Sequence, residues 1–161
     1  MTARKKKNAR KPAKKQTGKK TGKKTTRVAK AGPKAVKTGR GPTPLEVAKQ
    51  FTDLLRAGKY AEVEERWLAP SIESVEGHGA AMSWKGKKNV LAKYRAWEAE
   101  NEFVDATVEG PWVGATGFSV KFVGSVHHKT TGQRHPMEEI AVYTVRDGKV
   151  VREEFHFAVS A

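Results

Sequence analysis

The chain has 161 residues, room for one domain of ordinary size plus an appendage, and carries 32 Lys and Arg against 17 Asp and Glu. It has no Cys, which excludes disulfides, thiolate metal sites and cysteine nucleophiles and suits a reducing, cytoplasmic setting. No apolar run approaches the roughly 18 residues of a membrane span, and no apolar segment follows the basic start as a secretory signal requires.

Charge divides the chain near residue 44. Residues 1–44 hold 17 of the basic residues and no acidic one, whereas the other 15 basic and all 17 acidic residues lie beyond. The net charge of +15 therefore belongs to the first segment. That segment has no Leu, Ile, Phe, Trp or Tyr, so it cannot bury enough apolar surface to offset ordering entropy and is predicted to be a disordered tail. As a flexible coil its ends would lie roughly 35–40 Å apart. Thr17-Gly18-Lys19-Lys20 repeats as Thr21-Gly22-Lys23-Lys24. This is not a phosphate-binding loop, because the glycine spacing is too short, Lys24 stands where Ser or Thr is needed, and no strand precedes it. Lys5, Lys6, Lys7, Lys14, Lys15, Lys19, Lys20, Lys23 and Lys24 can neutralise phosphates without reading base edges. The tail is thus predicted to contact nucleic acid or another polyanion nonspecifically. The competing reading is a solvated extension.

One folded domain is predicted over residues 45–161. Thr43, Pro44 and Glu46 form a capping box with Pro at the first helical position. Leu45, Ala48, Phe51 and Leu55 follow at helical spacing, and Gly58 stops the helix. A second short helix is predicted over 60–68 with Tyr60, Val63 and Trp67 on one face. Residues 71–76 alternate as a strand, with Ile72 and Ser74 on one face, until Gly77-His78-Gly79 breaks it. A third helix is predicted over 87–101, with Val90, Leu91, Tyr94 and Trp97 as its apolar stripe. Strands then follow over 103–109, closed by Gly110-Pro111, and over 118–128, with Phe118, Val120, Phe122 and Val126 in phase. The last two are predicted over 133–145 and 149–159, joined at Asp147-Gly148. Helices followed by a meander of long strands imply an α+β domain with three helices on one face of a mainly antiparallel sheet.

This order, with Trp84-Lys85-Gly86-Lys87 leading into the third helix, Gly110-Pro111 between strands, and the final hairpin from Met137 to Phe155, resembles the SnoaL-like members of the nuclear transport factor 2-like superfamily. The resemblance covers 45–161 and implies a cone-shaped fold with a curved sheet, and a homodimer by analogy. The superfold hosts isomerases, cyclases, dehydratases and non-catalytic binding modules, so it does not fix a function. No position matches the catalytic motifs of its enzymes.

Two registers of the final hairpin are open. A two-residue turn at Asp147-Gly148 opposes Arg146 to Lys149 and Glu139 to His156. A type I turn with Gly148 as a bulge opposes Val145 to Lys149 and Glu139 to Phe155, and is preferred. It places Met137, Ala141, Tyr143 and Val145 on the face of Val151, Phe155 and Phe157, together with Glu139 and Glu153. A carboxylate on an apolar concave face has a raised pKa, as a general acid or base needs. Glu139 is therefore the candidate base and Tyr143 the candidate hydrogen-bond donor. His78, Trp97, Phe122, Glu153 and Phe155 are the candidate ligand contacts. The competing readings are a rim position for Glu153, a loop histidine at His78, and core roles for Trp67, Tyr94 and Trp97. Trp84 and Trp112 are placed at the cone mouth or a dimer contact. His127, His128 and His135 flank one turn without carboxylate or thiolate companions at fixed spacing, so no metal is predicted, nor any cofactor. The leading expectation is a pocket for a small apolar or aromatic molecule. The alternatives are a proton-transfer enzyme and a dimeric module tethered to nucleic acid.

Overall fold

The computed structural model describes residues 41–77 and 82–157. The basic segment before residue 41, His78 and the last residues of the chain lie outside the described residues. The three predicted helices are α1 (Pro44–Arg56), α2 (Tyr60–Trp67) and α3 (Lys87–Glu100). The strands are β1 (Leu68–Glu76), β2 (Met82–Lys85), β3 (Asn101–Val113), β4 (Gly117–His128), β5 (Arg134–Arg146) and β6 (Lys149–Phe157). They form one curved sheet in the order β2-β1-β6-β5-β4-β3, antiparallel throughout except where β1 runs parallel to β6. The α+β expectation therefore holds, with helices packed on a mainly antiparallel sheet.

Helix α1 begins as its sequence dictates. The Glu46 amide donates to Thr43 Oγ1 at 3.3 Å, and the Thr43 amide donates to Glu46 Oε2 at 2.8 Å, closing the capping box. The buried stripe is Val47, Ala48, Phe51, Thr52 and Leu55. Leu45, expected in it, is 49% exposed. Phe51 packs 4.7 Å from the Tyr143 ring and 5.3 Å from Phe118, joining α1 to β5 and β4. Arg56 anchors the end of α1 by donating to the carbonyls of Val108 and Gly110 in β3.

Helix α3 packs differently. Val90 is its buried residue, and Leu91, Tyr94 and Trp97, the rest of its apolar stripe, are only partly covered. The sheet curls under α3 without filling the space beneath it, and that gap becomes the site.

Three strand expectations need correction. The short β2 was not predicted. It pairs with the end of β1, opposing Ser74 to Trp84 and Glu76 to Met82. Gly110-Pro111 does not close β3; the strand runs on to Val113 with its register shifting between Glu109 and Trp112. Because β3 is an edge strand, Pro111 there removes no ladder donor the sheet needs. The final hairpin takes neither expected register along its length. Arg146 opposes Lys149 across a two-residue turn, with φ of 50° at Asp147 and 74° at Gly148, as a type I′ turn requires. Val145 then opposes Val150, the register shifts, and Thr144 opposes Arg152. Val151 is the bulged residue. Glu139 consequently pairs with Phe157, not with Phe155 or His156. The preferred register was wrong, but its face assignment survives for Glu139, Tyr143, Glu153 and Phe155, because the bulge restores the same phase. Val150 rather than Val151 points into the core.

Strand β4 begins against a close backbone neighbour. A Cβ on Gly117 would meet the Tyr143 carbonyl oxygen at 2.0 Å. Gly117→Ala is expected to push β4 from β5 beside Tyr143 and cost about 1–3 kcal/mol, read as a lower urea midpoint. An unchanged midpoint would contradict this packing.

Candidate functional site

The inner face of the sheet, α2 and α3 enclose a cavity of about 810 Å³. Its walls are chiefly aromatic. Trp97 stacks beside Phe103 at 4.6 Å, and Tyr60 lies 6.3 Å from Phe103. Phe122 from β4, Tyr143 from β5 and Phe155 from β6 complete the sheet side, and Trp84 and Met82 from β2 close one flank.

A polar cluster interrupts these walls. Glu153 on β6 is 1% exposed and accepts a hydrogen bond from the Tyr94 hydroxyl. Lys93, one residue before Tyr94, reaches in from α3. Its Nζ lies 2.6 Å from Glu76 Oε1, 3.7 Å from Glu153 Oε1 and 2.7 Å from Ser74 Oγ. The ammonium also sits over the rings of Phe155, Tyr94 and Trp84, at 4.5, 4.9 and 5.3 Å from their centroids. Two rows of the sheet explain the convergence. Ser74 opposes Glu153, which opposes Tyr143, and in the next row Glu76 opposes Phe155, which opposes Ala141.

Glu139 sits on the same face farther along β5 and accepts no hydrogen bond from any described residue. Burial among apolar walls pushes its carboxyl up to about 7; the Glu76 charge adds to this and the Lys93 ammonium partly offsets it. Burial also raises the Glu153 carboxyl, against the opposing influence of Lys93 and of the Tyr94 hydrogen bond. The hydroxyls of Tyr94 and Tyr143 are driven well above the ordinary tyrosine range, by burial first and then by the Glu153 charge. Both stay protonated at neutral pH. The arrangement provides one carboxyl able to give or take a proton near neutrality, a second locked in hydrogen bonds, and a fixed hydroxyl donor at Tyr143.

The SnoaL-like domain family matches residues 43–157. The chain belongs to that family. A candidate SnoaL-like polyketide cyclase from Mesorhizobium loti is 36% identical, with 71% of this chain and 99% of that one covered at a TM-score of 0.67. A nuclear transport factor 2-like protein of unknown function from Burkholderia pseudomallei is 15% identical, covering 71% and 90% at a TM-score of 0.59. A protein of ketosteroid isomerase-like fold from Catenulispora acidiphila, solved in complex with trimethylamine, is 13% identical, covering 74% and 89% at 0.57. The last two show the fold alone. No curated protein matches the chain.

Within this SnoaL-like domain, Glu139, Tyr143, Trp97, Phe122, Glu153 and Phe155 all line this cavity. His78 and the tail lysines Lys5, Lys6, Lys7, Lys14, Lys15, Lys19, Lys20, Lys23 and Lys24 lie outside the described residues. Glu153 is not at a rim but deep in the wall. Tyr94 packs against the core and also lines the cavity, whereas Trp67 is core at 3% exposure. Trp84 lines the cavity, and Trp112 stands on the outer face of the sheet, away from it. His127 pairs with Glu102, its Nδ1 lying 2.8 Å from Oε1. Sequence reasoning missed Lys93, Glu76 and Ser74 as site residues. Lys93 was detectable: it follows Val90 by three and precedes Trp97 by four, which puts a cation inside an apolar helical stripe. Glu76 continues the alternation of Ile72 and Ser74.

Proposed function

We propose that the cavity binds a small, largely apolar or aromatic molecule and that Glu139 exchanges a proton with it. The supporting observation is Glu139 itself, free of hydrogen bonds from described residues on the wall of an aromatic cavity of about 810 Å³, with its carboxyl at about 7. Cavities of roughly 300–1,000 Å³ suit drug-sized ligands. A general acid or base works best when its pKa lies near the operating pH. Glu153 is less suited, because Tyr94 and Lys93 already occupy it. Tyr143 would donate to a ligand carbonyl or hydroxyl. Isomerisation, cyclisation and dehydration all use such a pair, and the Mesorhizobium loti relative carries a cyclase name. Thermal melting across a panel of apolar and aromatic carbonyl compounds tests this reading. Some are expected to raise the melting temperature of the wild type, and Glu139→Gln should bind them without proton exchange into deuterated solvent. A wild type that no compound shifts would contradict it.

A second role rests on separate observations. The outer face of the sheet, opposite the cavity, exposes Trp112, Ile140 and Val142, which favours a homodimer through that face. The segment 1–44 carries 17 basic and no acidic residues, which favours a polyanion tether. Double-stranded DNA binding is expected for the full chain and not for a chain starting at Gly41, weakening steeply with salt. Equal binding by both chains would contradict the tether.

A further inference from the structure

We infer that the molecule taken by the cavity carries a positively charged nitrogen, seated among the aromatic rings and beside Glu139 and Tyr143. This rests on the ligand-binding reading above and names the class of ligand.

Charge balance supplies the first argument. At the cavity rim the acidic groups are matched. Glu64 and Glu98 share Arg95, at 2.5 and 2.9 Å, and Glu102 is hydrogen-bonded to His127. Lys129 is tied to the Glu98 carbonyl. Inside, three carboxyls, Glu76, Glu139 and Glu153, face the cavity with Lys93 as their ammonium among the described residues. A carboxylate in an apolar wall without a counter-charge is costly, and either a proton or a ligand cation relieves it. The position beside Glu139 is the one that no described side chain supplies.

Tyr143 supplies the second, independent argument. It is 3% exposed and lines the cavity, yet its hydroxyl has no hydrogen-bond partner among the described residues. Its hydroxyl opens to the cavity, where a ligand can pair with it. An ammonium N–H can donate to the tyrosine oxygen and to Glu139 together. A full carboxylate there would instead face Glu139 and Glu153, whose charges add to burial in raising the Tyr143 hydroxyl.

The rings supply the third. Lys93 shows the cavity holding a cation, its ammonium centred within about 5 Å of three ring faces and beside carboxylates. Tyr60, Trp97 and Phe103 offer a second set of faces with no described cation over them.

The test uses the full chain at pH 7.5 and physiological salt with three probes of one shape: 2-naphthylmethylammonium, 2-naphthylmethanol and 2-naphthoate. Calorimetry is expected to give affinity at least about tenfold higher for the ammonium than for the alcohol, and none for the carboxylate at the same concentrations. Glu139→Gln should reduce the ammonium affinity by about tenfold and change the alcohol by less than twofold. Alcohol binding as tight as the ammonium, or carboxylate binding tighter than either, would overturn the inference and leave the pocket reading standing. Absence of binding by all three would overturn both.

Discussion

Glu139→Gln is expected to stabilise the domain at pH 8 by about 2–3 kcal/mol and to leave its stability near pH 4 unchanged. The folded carboxyl titrates at about 7 against an ordinary 4.5. Each unit of difference corresponds to about 1.4 kcal/mol, and the partial exposure of Glu139 trims the total. Between those two values the folded state keeps a proton that the unfolded state has lost. Wild-type stability therefore falls as pH rises from 4.5 to 7 on account of this group, and levels off above. Glutamine keeps the shape and removes the ionisation. Shifts at Glu153, Tyr94 and Tyr143 are common to both proteins and cancel in the difference to first order. Urea unfolding at the two pH values measures the effect. An equal difference at both would mean that Glu139 is not held protonated by its surroundings. A stabilising loss of a functional group is the usual mark of an active site built at the expense of stability.

Lys93→Met should act in the opposite direction, with a loss of about 3 kcal/mol or more at pH 8. Met keeps an apolar stem of similar length and removes the ammonium that lies over the rings of Trp84, Tyr94 and Phe155. Without it, Glu76 and Glu153 face each other in a wall where Glu153 has almost no contact with solvent. The Lys93 charge holds the Glu139 and Glu153 carboxyls lower than burial alone would. Removing it moves both further up, so the penalty is largest where they must ionise and shrinks as acid protonates them. Denaturation at pH 8 and pH 5 should show the smaller loss at pH 5. A loss independent of pH would indicate that packing, not charge, dominates at Lys93.

The elements that local chemistry specifies were legible in the sequence. Thr43, Pro44 and Glu46 define the start of α1, and alternation along β4 and β5 puts Phe122, Glu139 and Tyr143 on one face, whichever residue opposes them. What was not legible depends on pairing between distant segments. Strand β2 has only four residues, and the pairing of Trp84 with Ser74 creates it. The hairpin register turned on whether Asp147 itself adopts a positive φ, which Asp permits and most residues do not. Its bulge then falls at Val151, where no glycine marks it. Tyr94 reads as core, and Trp97 as either core or pocket, because a helical stripe cannot distinguish a filled interior from a hollow one. The hollow arises because the sheet curls beneath α3, a property of six strands together. Lys93 belongs to the same class: its place in the stripe was visible, but the carboxylates that hold it come from β1 and β6.

The central claim is that Glu139 stands in the cavity as a carboxyl poised near neutrality. The most direct measurement is its titration in the full chain by carbon-13 NMR of glutamate side-chain carboxyls, with the signal assigned by its disappearance in Glu139→Gln. The account predicts a midpoint close to 7, well above the ordinary glutamate value of 4.5. A midpoint below 5 would mean that Glu139 is solvated or paired, and would contradict it.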